Sequence, residues 1–230
     1  MVQIYDWPKS IAPSGQLFMV AGQAQDGGFT TMGARVLTPE AGGRSMLDFT
    51  FGWHSRKESG PLYSYLVSKV TNGNVFRIPI WDSPQLVRYA DLGFDGVPGS
   101  LPWQGPGGVT AYWSDGTGWE AQFGVAAIGT RQEGKTDLVL NMAGLARGLT
   151  HGHLIGVAGR AYLVDDIIYA GNNAMVTVTP PLRTDVGAGD QVTFRPRMLG
   201  VCVNPESFKA LFQPAELVQP GNITFVEALV

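Results

Sequence analysis

Turn signals interrupt this chain so often that one stretch alone is left free to coil. The 230 residues hold 31 glycines and 15 prolines, about twice the ordinary share of glycine. Glycine in the middle of an element and proline almost anywhere in one tend to end it. What remains between them is a series of short runs rich in β-formers, at residues 17–20, 34–37 and 45–51. In the last of these, Leu47, Phe49 and Phe51 alternate with Met46, Asp48 and Thr50. That two-residue period places the first set on a core face.

The exception lies between Ser59 and Gly73. Ser59 can cap a helix, Pro61 suits its first turn, and Leu62, Tyr65, Leu66 and Val70 recur at helical spacing. Gly73 supplies a left-handed stop. A strand follows, with Phe76, Ile78 and Ile80 alternating with Arg77, Pro79 and Trp81. Pro79 has no N–H to give a ladder, which places this strand at an edge or a bulge. From about residue 82 to 118 the periodicity dissolves into Gly, Pro, Ser and aromatics around GVPGSLPWQGPGG. Trp103, Tyr112, Trp113 and Trp119 are too large to stay bare and suit core or subunit packing. The lack of basic residues beside them counts against single-stranded nucleic acid.

Beyond Gly129 the pattern is β-like again. Residues 162–169 and 174–179 flank Ala170-Gly-Asn-Asn173, a hairpin turn. Strands at 191–195 and 222–230 follow. In the last, Ile223 and Phe225 share a face with Glu227, which fits it less cleanly.

Charged residues make up 15% of the chain and the net charge is -3, so no basic field for nucleic acid is expected. The single cysteine, Cys202, excludes an internal disulfide and reads as a buried, inert thiol. The N-terminus has no signal-peptide pattern and no apolar run approaches 18 residues, so folding in a cytoplasm without a membrane span is expected.

Two motifs bear on chemistry. Gly129-Thr-Arg-Gln-Glu-Gly-Lys-Thr136 fits the phosphate-loop pattern G-x-x-x-x-G-K-[ST], and Asp165 and Asp166 end an apolar run as a magnesium-binding strand would. A phosphate loop needs a helix directly after it. Here Leu138, Leu140 and Met142 alternate at strand period, and Gly144 and Gly148 follow, so the stretch reads as a turn between strands. Thr150-His-Gly-His153 would point two imidazoles the same way on a strand. No carboxylate follows nearby, His54 is remote in sequence, and a turn with exposed histidines is preferred to a metal site. No G-x-S-x-G is present, Asp91 to Gly96 lacks a calcium loop's ligand pattern, and Asp115 with Glu120 is a poor acid–base pair. No catalytic residue, cofactor or metal is expected.

Three segments together resemble one family. They are residues 62–82, LYSYLVSKVTNGNVFRIPIWD; residues 176–194, with VTVTPPLR and VGAGDQVTF; and residues 223–229, ITFVEAL. Their order is similar to that in the distal tail proteins of long-tailed (siphovirus-type) bacteriophages and related tail-tip components. The resemblance implies a mainly β fold, a β-sandwich with one packed α-helix near 60–72, built from residues 1–128 plus 204–230. A small inserted β-barrel-like domain would occupy 129–203. It also implies a non-catalytic virion protein at the tail tip, made in the host cytoplasm. Such a protein assembles with itself as a homohexameric ring between the tail tube protein and the tail-tip hub protein of the baseplate. Trp103, Trp113 and Trp119 are then candidates for subunit contacts. The alternatives are another tail-tip component (hub, tube or tail-completion protein) or a carbohydrate-binding β-module.

Overall fold

A computed structural model describes residues 3–8, 10–22, 24–29, 31–33, 35–39, 42–81, 83–88, 90–93, 103–104, 110–111, 124–207, 211–212, 217–219 and 221–229. Two six-stranded sheets carry most of the regular structure. In chain order their strands are β1 (Ile4–Asp6), β2 (Gly15–Ala21), β3 (Arg44–Thr50), β4 (Val75–Pro79), β5 (Gly124–Ala126) and β6 (Asp137–Asn141). Then come β7 (Leu154–Val157), β8 (Arg160–Ala170), β9 (Asn173–Thr179), β10 (Gln191–Thr193), β11 (Arg197–Cys202) and β12 (Ile223–Glu227). One α-helix, α1 (Arg56–Thr71), is formed among the described residues. The described residues are thus mainly β with a single packed α-helix, as the turn density dictates.

The first sheet has the order β1-β4-β11-β12-β3-β2. Only β1 and β4 run parallel in it; the other neighbours are antiparallel. Its inner face follows the alternation in the sequence: Leu47 and Phe49 from β3, Phe76 and Ile78 from β4, and Ile223 and Phe225 from β12 are all fully buried. Trp7 is the hub of this cluster, with ring centroids 5.5–6.2 Å from Phe49, Phe51, Phe76 and Phe225. Each such large apolar side chain contributes roughly 1.5–3 kcal/mol by leaving water. Gly200 in β11 makes room for them. A Cβ there would meet Met198 Cε at 2.8 Å, Phe225 Cβ at 3.1 Å and Ile78 Cδ1 at 3.3 Å.

Helix α1 covers this face with Tyr63, Leu66 and Val70. It differs from the sequence expectation at its start. The helix begins at Arg56, so Ser59 is inside it and nearly buried, and Pro61 is internal. Tyr63 rather than Tyr65 enters the core; Tyr65 stays 45% exposed, with the Lys69 ammonium 5.6 Å from its ring. The expected stop holds: Gly73 adopts φ +68 and its N–H donates to Val70 O. Strand β4 is second in its sheet, not at the edge. Yet β1 pairs only Val75, Phe76 and Arg77, and Ile80 N–H donates to Pro196 O on the β11 side. Residue 79 therefore faces the side where β1 has ended, and its missing N–H leaves no gap in a ladder.

The second sheet has the order β5-β10-β7-β8-β9-β6, antiparallel throughout. Its own core gathers Leu138, Leu140, Val164, Val176, Val178 and Phe194. The hairpin between β8 and β9 turns at Gly171 and Asn172, with Ala170 opposite Asn173, as the sequence indicates. The barrel-like closure expected here is corrected: the sheet is open. Its end strands β5 and β6 meet at the bridge Ala127–Leu140 and through Ile128 N–H donating to Val139 O. Strand β5 is three residues long, and Gly129, at φ +73, turns the chain away before a ladder can form. Sheet membership changes near residues 124 and 196. Consequently β5, expected among the first set of strands, lies in the second sheet, and β11, expected in the insertion, lies in the first.

Smaller pairings hang on this frame. Ala24–Phe29 pairs with Arg35–Pro39 as a separate ribbon. Leu217–Gln219 pairs with both His54–Ser55 and Leu211–Phe212.

Candidate functional site at the junction of the sheets

The loop 129–136 is a turn into strand β6, and its amides are used within the fold. Arg131 and Val186 exchange both backbone bonds at 2.8 Å. Glu133 N–H donates to Asp185 Oδ1, Gly134 N–H to Leu182 O, and Lys135 N–H to Gln132 O. The side chain of Arg131 pairs with Asp137 at 2.6 Å. A phosphate loop aims these N–H groups at one point before a helix; here those of Arg131, Glu133 and Gly134 point at residues 182–186 and that of Lys135 turns back into the loop, before a strand, and Lys135 is exposed. Asp165 sits at the β-bulge in β8 and accepts the Thr179 hydroxyl, while Asp166 accepts the N–H of Ile167.

The histidines do not converge. His151 and His153 flank Gly152 in a turn, where His153 Nδ1 accepts Thr150 N–H at 3.0 Å. Burial lowers the His153 pKa, which Asp91 partly restores and His151 lowers further. His54 stands in the first core region with its ring 5.7 Å from Tyr63, and burial lowers its pKa too. Among the described residues no three His, Cys, Asp or Glu side chains group as a metal site. Cys202 is buried, and burial raises its thiol to about 11, so the thiolate nucleophile is scarce at neutral pH. Trp103 forms a two-residue pairing with Ala111. Trp113 and Trp119 lie outside the described residues, as do Asp115 and Glu120.

The densest polar constellation is one the sequence reading did not assemble. Glu227, at the end of β12, is 5% exposed and faces the core side with Ile223 and Phe225. Two guanidiniums from the second sheet's part of the chain reach it. Arg160, at the start of β8, approaches Oε1 at 3.4 Å and donates to Ala228 O at 2.8 Å. Arg183 donates from Nε to Oε1 at 3.1 Å and from Nη2 to Oε2 at 3.2 Å, a two-point contact. The same Nη2 reaches Gly42 O at 2.8 Å and Gly43 O at 2.5 Å. Ser45 N–H, at the foot of β3, donates to Oε2 at 3.2 Å. The ladder between β3 and β12 ends at Met46 and Val226, and the glutamate side chain takes the next amide.

Local sequence explains why Arg183 points there. In PPLR, Leu182 is buried in the second core and donates its N–H to Lys135 O. The N–H of Arg183 donates to the hydroxyl of buried Tyr162. With its backbone fixed on both sides, the side chain crosses to the first sheet. A legible signal for this site existed in Glu227, a carboxylate at a core-facing position, which requires a buried cation. Arg160 carried no such signal. Beside the constellation lies the Ser45 hydroxyl, buried and without a hydrogen-bond partner; what the geometry does directly is tie the two sheets together. Removing one member of such a buried set typically costs about 3–5 kcal/mol, because the remaining charges stay desolvated.

No protein-family model matches the sequence, and no curated protein is significantly similar to it.

Proposed function

We propose that this chain is a structural virion protein, a distal tail ring subunit of a long-tailed bacteriophage, joining tail tube to tip hub without catalysis of its own. One observation supports it above the rest. Arg183 of the PPLR segment and Glu227 of the ITFVEAL segment, two of the three pieces that carry the resemblance, bond to each other across the junction of the sheets. Segments that are separate in sequence thus act as one physical unit. The mainly β architecture with one helix on the first sheet agrees with the same reading.

In this reading identical copies meet head to tail around a closed axis. Trp103, Trp113 and Trp119 remain the candidate anchors of that contact. The partners are the tube protein on one face and the hub protein on the other. An antibody raised against the chain and applied to intact particles tests the proposal. Label at the distal end of the tail is expected; label on the head, or none on assembled tails, would contradict it.

A further inference from the structure

We infer that Glu227 is the pin of a latch whose opening separates the second sheet from the first while both cores stay folded. Each sheet has its own apolar cluster. Across the junction, Leu154 and Ala161 join the first cluster, and polar contacts run from Arg160 and Arg183 on one side to Glu227 and the carbonyls of Ala228, Gly42 and Gly43 on the other. Side-chain exposures of 6%, 16% and 3% show that all three charges are largely removed from water.

Such an arrangement is finely balanced. Coulombic attraction inside a protein is offset by the desolvation of the charges that make it. Opening returns two guanidiniums and a carboxylate to water together, so the ionic part of the difference between closed and open forms is a small remainder of two large terms, while the burial of Leu154 and Ala161 favours the closed form. The latch also grips a third part. Arg183 holds the carbonyls of Gly42 and Gly43, at the root of the ribbon formed by Ala24–Phe29 and Arg35–Pro39. Gly22 and Gly42, at φ +77 and +156, stand at the two roots of that ribbon. Release of Arg183 therefore frees the ribbon base at the same moment as the second sheet. This inference is independent of the tail reading, since it concerns how the two sheets are held and not what the assembly does.

Native-state hydrogen exchange tests it on the full chain. The reporter is the Ser45 amide, whose donor bond ends on Glu227 Oε2; the Leu47 and Val178 amides report the two cores. In the wild-type protein Ser45 is expected to exchange through a local opening, faster than Leu47 and Val178. Glu227→Gln keeps the shape and an acceptor but removes the carboxylate charge that both arginines face. It is expected to speed Ser45 at least about tenfold more than it speeds Leu47 and Val178. Ser45 exchanging in step with both cores in the wild type would overturn the latch, and so would a variant that accelerates all three amides equally. Should the variant fail to fold, the wild-type comparison decides: a faster Ser45 upholds the latch and an equal one refutes it.

Discussion

A histidine that packs its ring against aromatics can do so cheaply only when neutral. His54 lies against Phe51 and Tyr63, with Nε2 buried and without a hydrogen-bond partner. His153 uses Nδ1 as an acceptor for Thr150 N–H, which a doubly protonated ring cannot do. Both have folded pKa values below the ordinary 6.5, with burial the first cause. The unfolded chain therefore binds protons more readily than the folded one as pH drops through 6.5. The stability these residues contribute is present above that value and is lost below it. Urea unfolding is expected to give a lower free energy at pH 5.5 than at pH 7.5. The double variant His54→Phe, His153→Asn, which keeps a ring at one site and an acceptor at the other, is expected to flatten that slope. An unchanged slope in the double variant would remove the histidines from the explanation.

At the scale of elements, backbone requirements dominate. The β8–β9 hairpin depends on Gly171, which adopts φ +61 with open space where a Cβ would be. Gly171→Ala therefore tests conformation alone, and a loss of about 1–2 kcal/mol is expected from the left-handed region's penalty. Thermal or urea unfolding reads it, and a neutral or stabilising result would contradict the turn assignment. This hairpin, the Leu47–Phe49–Phe51 alternation and the Gly73 stop were all legible in sequence because each rests on local rules of period and φ. The elements that were misread depend on tertiary context. Helix α1 starts at Arg56, before its Ser59 and Pro61 signals, and turns Tyr63 inward instead of Tyr65. Strand β11 leaves the second sheet for the first, where Gly200 fits between Ile78 and Phe225. No period along the chain encodes that choice of partner. The candidate site shows the same division. Glu227 was visible as a misfit on a core face, whereas its meeting with Arg160 and Arg183 depends on long-range topology.

At the scale of the whole molecule, two sheets, each with its own apolar cluster, are joined by Leu154 and Ala161 packing into the first core and by a buried charge cluster. The loop at 129–136 has no place in nucleotide chemistry in this account, because its amides serve the turn that leads into β6. The proposed function is tested most directly by a reconstruction of phage particles, without imposed symmetry, that locates this chain. Six copies forming a closed ring between tube and tip are expected. A single copy, a copy number that does not close a ring, or a position away from the tube–tip boundary would contradict it.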